Sequence, residues 1–384
     1  MRALLRDASA CGSAGEAERL ASDVVAYLGD REFGVQLDIG VRDVVDAIER
    51  AATPDALALL QALAYVDAAG ALGECARAAS DRLVERGAKG PGWLPLVGHA
   101  RPTGAWIVRD HDFDDASILF VDFGREHGPH PLLAVFVDHN LGGAAKHVNL
   151  CTSMDDVVAV SAAMPGDDME PEPIALDDAA SRLRSALAAT PPEVRGSIVP
   201  GMTNLFALAE ARLGSLPAAP PRPGPSEIGP DERFMLLEGF LQSNEGQAFR
   251  DDLDAQTAVA RAIDFCADYI DGRPLRWSPT LVEIFVVDWL PEYTGDDPRI
   301  LERMPEALRA WIRFAGQQRG MAAELVDETL AELDQWSEEI RAMAYDGGAA
   351  ISSPGPRRRS SSSPIRNAAR PSSTRQRSSI PGCA

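Results

Sequence analysis

All six histidines of the 384-residue chain lie between His99 and His147. The same window contains dense clusters of aspartate, for example between Asp110 and Asp115. Imidazole and carboxylate groups together bind Zn²⁺, Mn²⁺ or Fe²⁺, and such a metal can activate a water molecule for hydrolysis. If the chain carries out chemistry, the sequence therefore places it in this window.

Three apolar segments of this window predict short β-strands, at residues 104–109, 117–123 and 132–137. The second and third segments are apolar on both faces, which is typical of strands that are covered on both sides. The connections between the segments are too short for a parallel crossover and suit an antiparallel arrangement. The sequence therefore predicts a small antiparallel β-meander at about residues 104–138.

Tracing the meander assigns the polar residues of its loops to two opposite ends. The first end receives the residues that follow the first and third strands: Asp110, His111, Asp112, Asp114, Asp115, Asp138, His139 and Asn140. The opposite end receives His127, His130 and His99. The six histidines therefore cannot form one site. His147 lies beyond a glycine pair, and the pattern does not place it.

Two interpretations of the first end stay open. In one, Asp110, His111, Asp112, Asp138 and His139 are ligands of a divalent metal, Zn, Mn or Fe, and the strand ends hold them in position. In the other, the aspartates cap turns by accepting hydrogen bonds from backbone NH groups, as aspartates in loops commonly do. The spacing of these residues matches no established metal-binding motif.

The charge of the chain limits the classes of partner. The full sequence has 37 basic and 58 acidic residues, a formal net charge of −21. Residues 351–384 contain seven arginines and no acid, so residues 1–350 carry 30 basic and 58 acidic residues, a net charge of −28. Such an acidic body repels nucleic acid and anionic membranes. We therefore expect a protein partner, and no nucleic-acid binding by the folded part.

Residue usage also bears on chemistry and location. Only two lysines occur, Lys89 and Lys146, and neither follows the glycine-rich loop of a P-loop nucleotide site. The five cysteines are far apart and form no CxxC pair, as in proteins of a reducing cytoplasm. The N-terminal residues contain no apolar signal core, and no apolar run is long enough to span a bilayer. We therefore expect a cytoplasmic protein without a membrane segment.

Helical periodicity dominates the sequence on both sides of the meander. Thr53-Pro54 and Ser278-Pro279 each combine an N-cap residue with a proline at the first helical position, which predicts two helix starts. The expected fold class is α+β and mostly helical, with the small antiparallel β-meander in an N-terminal domain and a helical bundle at the C-terminus.

Composition predicts where these domains begin and end. Residues 1–215 are the expected helical domain with the meander, although residues 1–15 are small and polar and are expected to be frayed. The proline-rich residues 216–230 are the expected linker. Residues 231–346 follow as the bundle, and residues 347–384, rich in Arg, Ser and Pro, are expected to be a disordered tail.

A resemblance to a family of actinobacterial proteins without an assigned activity is carried by three stretches. They are WSPTLVEIFVVDWLPEY (Trp277–Tyr293), LERMPEALRAWIRFAGQQRG (Leu301–Gly320) and VDFGREHGPHPLLAVFVDHNLGG (Val121–Gly143), about one sixth of the chain. Because that family has no assigned activity, the resemblance implies no catalytic residue.

The sequence favours an interaction function over catalysis. It contains no recognised catalytic motif, and its composition is helical, acidic and poor in lysine. We expect a non-catalytic intracellular interaction or regulatory protein. The alternative is a metal-dependent hydrolase that uses the Asp/His cluster at the end of the β-meander.

Removal of the tail tests the expected division of the chain. Because residues 351–384 lack apolar periodicity, we expect a chain truncated after Ala350 to unfold at the same temperature as the full chain. Circular dichroism melts of the two proteins measure this. A clear loss of thermal stability on truncation would mean that the tail packs against the body.

Overall fold

A computed structural model of the protein describes residues 1–29, 40–125, 131–162, 170–195, 205–222, 224, 227–293 and 297–346. The expected tail at 347–384 lies outside the described residues, as do His127 and His130. The described residues form many helices and one antiparallel sheet, which confirms the expected α+β, mostly helical fold.

The helices of the described residues follow the apolar periodicity of the sequence. In chain order they are α1 (Arg2–Ala10), α2 (Ala14–Gly29), α3 (Val41–Ala51), α4 (Pro54–Val66), α5 (Ala71–Glu85), α6 (Met154–Ala162), α7 (Leu176–Ala189), α8 (Pro192–Arg195), α9 (Phe206–Leu213), α10 (Pro230–Gln242), α11 (Leu253–Asp264), α12 (Pro279–Ile284), α13 (Pro298–Arg319) and α14 (Ala323–Asp346). The Thr53 and Ser278 hydroxyls accept hydrogen bonds from the backbone NH groups of Ala56 and Leu281, both at 3.1 Å. Both predicted helix starts are thereby confirmed. None of the described helices is long and apolar enough to cross a bilayer.

The sheet is an antiparallel meander with additions at both edges. Its strands are β1 (Arg101–Arg109), β2 (Ala116–Gly124), β3 (Leu132–Asp138), β4 (Ala144–Cys151) and β5 (Glu172–Pro173), in the order β4-β3-β2-β1-β5. The three predicted strands correspond to β1, β2 and β3. In β2 and β3, Ala116 pairs with Asp138 and Asp122 pairs with Leu132. This register places the end of β3 beside the start of β2.

Strand β4 extends the meander beyond its predicted end. Gly142 and Gly143 have φ angles of 66° and 78°, a backbone region that favours glycine, and they turn the chain back along β3. The residue that the sequence pattern could not place, His147, lies on β4 with its ring 6.3 Å from the ring of Phe136. Burial, together with the neighbouring charge of Lys146, lowers the pKa of His147.

Both faces of the sheet are covered, as the two-sided apolar pattern predicts. On one face, Leu119 and Val121 belong to a large cluster of buried apolar residues that includes most of the N-terminal helices. On the other face, Ile118 and Phe120 pack with Val157 of α6. The strands β2 and β3 are therefore packed from both sides.

The expectation that residues 1–15 are frayed is wrong. Helix α1 covers much of this segment, and Ala8 is buried in the N-terminal cluster. Leu4 and Leu5 pack against the same cluster. These three side chains form a short apolar face, so packing stabilises a helix that the small and polar neighbours would not stabilise on their own.

A buried ion cluster ties the end of β2 to two helices. The Glu18 carboxylate on α2 is fully buried, and it accepts hydrogen bonds from Arg125 at 2.6 Å and from Arg212 of α9. It also accepts one from the Gly98 backbone NH at 2.9 Å. The Arg212 guanidinium lies over the ring of Phe123, 4.9 Å from its centre. A carboxylate can be buried here because three donors replace its water.

The C-terminal helices enclose a separate cluster of buried apolar residues, between residues 240 and 344. Helices α11 and α12 each continue into a π-helical turn, at Phe265–Ile270 and Phe285–Trp289. Aromatic rings pack the two turns together, with 5.1 Å between the centroids of Phe265 and Phe285. π-Helical turns often occur at functional sites. These two lie on either side of residues 271–278 in the chain, a segment that contacts the sheet.

The predicted linker is attached to the N-terminal part along some of its length. The Arg184 guanidinium on α7 donates a hydrogen bond to the Ala219 carbonyl at 2.7 Å. The Ser185 hydroxyl accepts one from the Arg222 backbone NH, also at 2.7 Å. Ala219 and Arg222 are therefore bound to α7, and the division of the chain into two domains at residues 216–230 stays a prediction.

Candidate functional site

The first end of the meander contains two polar segments, which the strand register brings together. The aspartate loop, residues 110–115, connects β1 to β2. A 3₁₀ turn at His139–Leu141 follows β3. The His139 backbone NH donates a hydrogen bond to the Asp115 carbonyl at 2.9 Å. The sequence correctly placed these two segments at one end of the sheet.

Asp110 stabilises the aspartate loop from within. Its carboxylate accepts hydrogen bonds from the backbone NH groups of Asp112 and Phe113, both at 3.1 Å, and of Asp115 at 3.0 Å. Both carboxylate oxygens are engaged, as the capping interpretation predicts. Asp112 is half-buried, and its backbone NH is one of the three donors.

His111 and Asp138 contact different neighbours, on opposite sides of the sheet end. The exposed His111 ring lies with Nε2 3.3 Å from a Glu172 carboxylate oxygen on β5. Asp138 is buried, accepts the Asn140 backbone NH at 2.9 Å and pairs with the Lys146 ammonium at 3.1 Å. His111 therefore faces the β5 edge of the sheet, and Asp138 is bound to β4.

His139 connects the turn to the aspartate loop. Its ring nitrogen Nδ1 lies 2.9 Å from the Asp114 carbonyl oxygen and 3.0 Å from the Asp114 carboxylate. The other ring nitrogen, Nε2, lies 3.1 Å from the Ser117 hydroxyl. Both ring nitrogens have partners within the protein, and the ring orientation is fixed on both sides.

Residues 271–278 of the bundle, here called the arginine segment, contact the aspartate loop. The Arg276 guanidinium donates a hydrogen bond from Nη1 to an Asp115 carboxylate oxygen at 2.7 Å, and the Ser278 hydroxyl donates to the same oxygen at 2.9 Å. Arg273 pairs with the Asp114 carboxylate. These contacts join the sheet to the bundle, and we call them the arginine–aspartate bridge.

The arginine segment is held in shape by its own acid and by an aromatic anchor. Asp271 is buried, and it accepts hydrogen bonds from Arg273 at 2.6 Å and from Arg276 at 2.9 Å. Trp277 is 1 % exposed and packs against Phe265, with 5.9 Å between the ring centroids. Because Trp277 lies between Arg276 and Ser278 in the chain, its burial fixes both donors relative to the π-helical turns.

Burial and charge act in opposite directions on the two bridging aspartates. Burial disfavours the charged form of Asp114, but hydrogen bonds from His139 and Arg273 outweigh burial and hold the pKa of Asp114 well below its ordinary range. Burial raises the pKa of Asp115, against the opposing effects of Arg276 and Ser278. Asp114 is therefore the more strongly ionised of the two.

The five predicted metal ligands share one end of the sheet but have separate partners. Asp110 binds backbone NH groups, His111 contacts Glu172, and Asp138 pairs with Lys146. Within the described residues, no group of three or more His, Cys, Asp or Glu side chains is arranged to bind a metal ion. Metal binding by these residues stays a prediction.

Arg273 and Arg276 were not predicted from the sequence as part of this site, and Ser278 was predicted only as a helix start. A detectable signal was present: two arginines interrupt an apolar stretch in a short connection between helices. A buried arginine needs a carboxylate partner. The partner itself could not be found, because Asp115 lies 161 positions earlier in the chain.

Comparison with models of protein families, with curated proteins and with solved structures finds no match for this chain. The resemblance carried by Val121–Gly143 and by the two C-terminal stretches stays a prediction.

The charge of Asp114 gives a testable dependence of stability on pH. Because its pKa is lower in the folded protein than its ordinary value of 3.8, its charged form stabilises the fold above about pH 4, and this contribution is lost as the pH falls further. We expect Asp114→Asn to lower the urea midpoint at pH 7, with a smaller deficit below about pH 4. Asparagine suits the left-handed backbone of this position, where φ is 59°.

Asp112→Asn is the matched control in the same loop, and we expect it to change the urea midpoint little at either pH. An Asp114→Asn deficit of equal size at pH 7 and at pH 3 would contradict the electrostatic account.

Proposed function

We propose that the protein is a non-catalytic interaction or regulatory protein of the cytoplasm, and that its partner is a protein. One observation carries the proposal: Arg273 and Arg276 of the bundle form ion pairs with Asp114 and Asp115. These aspartates lie at the end of the sheet where the alternative function, a metal-dependent hydrolase, would have its active site. The most chemically suggestive cluster of the sequence thus contributes to a contact between two parts of the chain.

The hydrogen bonds of the remaining polar groups support the same conclusion. A general base or a metal ligand needs a lone pair directed at a substrate or an ion. His139 lies between the Ser117 hydroxyl and the Asp114 carboxylate, the order of a nucleophile, a general base and an orienting acid, but Ser117 is only 4 % exposed and Asp114 is also paired with Arg273. The carboxylate of Asp110 accepts three backbone hydrogen bonds. Because the Ser117 side chain is buried away from any substrate and the Asp110 carboxylate is bound within the loop, this end of the sheet suits a recognition surface better than a reaction centre.

The class of partner is inferred from charge. Residues 1–350 carry a net charge of −28, which disfavours nucleic acid and anionic lipid as partners at physiological salt. A protein surface can complement an acidic surface with local basic groups.

Metal analysis distinguishes this proposal from the metal-dependent hydrolase. We expect purified wild-type protein to contain no stoichiometric Zn, Mn or Fe, and titration with each metal to give no difference between wild type and His139→Ala. Elemental analysis and isothermal titration calorimetry measure this. His99→Ala is the control, because His99 is exposed and precedes β1.

The proposal is contradicted by a tightly bound metal whose affinity falls at least about tenfold, roughly 1.4 kcal/mol, in His139→Ala but not in His99→Ala. That result would support the hydrolase.

A further inference from the structure

We propose that the aspartate loop is a docking surface for an arginine-bearing segment of a partner protein, and that residues 273–278 of the bundle occupy it in cis. This inference rests on the proposed function and names the chemistry of the partner. The arginine segment shows how the surface recognises a ligand, because it is already bound there.

Recognition depends on two carboxylates that bind three donors. A single Asp115 oxygen accepts from Arg276 and from Ser278, at 2.7 and 2.9 Å. Asp114 binds Arg273. The bound pattern is therefore Arg-x-x-Arg-x-Ser, with one carboxylate for each arginine and the serine hydroxyl as an additional donor.

The contact between the arginine segment and the aspartate loop leaves two buried polar atoms without a hydrogen bond. Among the described residues, the Oδ1 atom of Asn140 and the Nη2 atom of Arg276 are buried without a hydrogen-bond partner. These two residues are only 6 % and 1 % exposed, so both atoms are shielded from solvent. Because an unpaired buried polar group is unfavourable, a partner that supplies a donor to Asn140 can compete with the cis segment.

The arrangement also allows exchange. The apolar clusters of the N-terminal part and of the bundle are separate, and the bridge that joins the two parts is made of ion pairs and hydrogen bonds. Arg273 is 45 % exposed and lies at the rim of the contact, where a competing arginine can displace it first. Polar contacts between parts of a chain commonly permit relative movement.

Arginine fits this surface better than lysine. The Arg276 guanidinium donates from Nη1 to Asp115 of the loop while its Nε binds Asp271 of its own segment, and its planar set of donors allows both contacts at once, which a single ammonium group would make less favourably. Asp110 and Asp112 of the same loop add negative charge around the binding position, which favours approach of a cationic segment.

Peptide binding by the full-length chain tests this inference. The probe is a fluorescent, terminally blocked hexapeptide with the sequence of residues 273–278, Arg-Pro-Leu-Arg-Trp-Ser, and fluorescence anisotropy measures its affinity. We expect Arg273→Ala and Arg276→Ala each to bind the peptide at least about tenfold more tightly than wild type, because each removes part of the competing cis segment. Far-UV circular dichroism checks that each variant is folded, and the exposed position of Arg273 makes its substitution the safer one.

Three controls make the result specific. Arg309→Ala breaks the Arg309–Asp334 pair elsewhere in the bundle and should bind the peptide as wild type does. Asp115→Asn, added to Arg273→Ala, should abolish the gain in affinity. A peptide with both arginines replaced by lysine should bind more weakly than the arginine peptide.

The inference is overturned if the folded Arg273→Ala variant binds the peptide no more tightly than wild type. The inference is also overturned if the lysine peptide binds as tightly as the arginine peptide. The same holds if Arg309→Ala gains as much peptide affinity as Arg273→Ala, because either result indicates unspecific electrostatic attraction. Metal analysis is independent of these measurements. A metal-free protein that does not bind the peptide contradicts the docking surface alone, whereas a metal removed by His139→Ala contradicts the proposed function.

Discussion

The arrangement of the site depends on two ion pairs of one buried guanidinium. Arg276 is 1 % exposed, and it pairs with Asp115 at the end of the sheet and with Asp271 of the bundle. Removing an arginine and two carboxylates from water costs several kcal/mol for each ion, and only close hydrogen bonds offset that cost. The guanidinium must therefore be positioned from both sides at once. The structure supplies a rigid support on each side.

On the bundle side, the support is aromatic packing. Trp277 is buried beside Phe265, and the two π-helical turns pack through the rings of Phe265 and Phe285. On the sheet side, the support is hydrogen bonding: Asp110 organises the aspartate loop, and His139 joins that loop to the turn after β3. Asp110 and His139 thus hold Asp115 and Asp114 in position beside the arginines.

Sequence reasoning predicted those parts of the fold whose signals are local. The hairpin of β2 and β3 was predicted because both strands are apolar on two faces and a short connection joins them. Strand β4 was not predicted, because Lys146, His147 and Asn149 interrupt its apolar pattern, although the glycine pair before it is typical of a tight turn. Helix α1 was missed because its stability comes from packing of Leu4, Leu5 and Ala8 on the N-terminal cluster.

The site was predicted only in part, for a related reason. Aspartates and histidines at one end of a meander follow from strand direction, which the sequence specifies. The partners of those residues do not follow from it, because Arg276 and Asp115 are far apart in the chain and no local pattern links them. Residue type alone could not show that Asp114 and Asp115 bind arginines of a distant segment.

The most direct test of this account is a double-mutant cycle between Asp115 and Arg276, measured by urea denaturation of Asp115→Ala, Arg276→Ala and the double variant. If the arginine–aspartate bridge joins the two parts as described, the coupling energy should be at least about 1.5 kcal/mol, as for buried groups in direct contact. A coupling energy below about 0.5 kcal/mol, the range of exposed ion pairs and of independent sites, would contradict it.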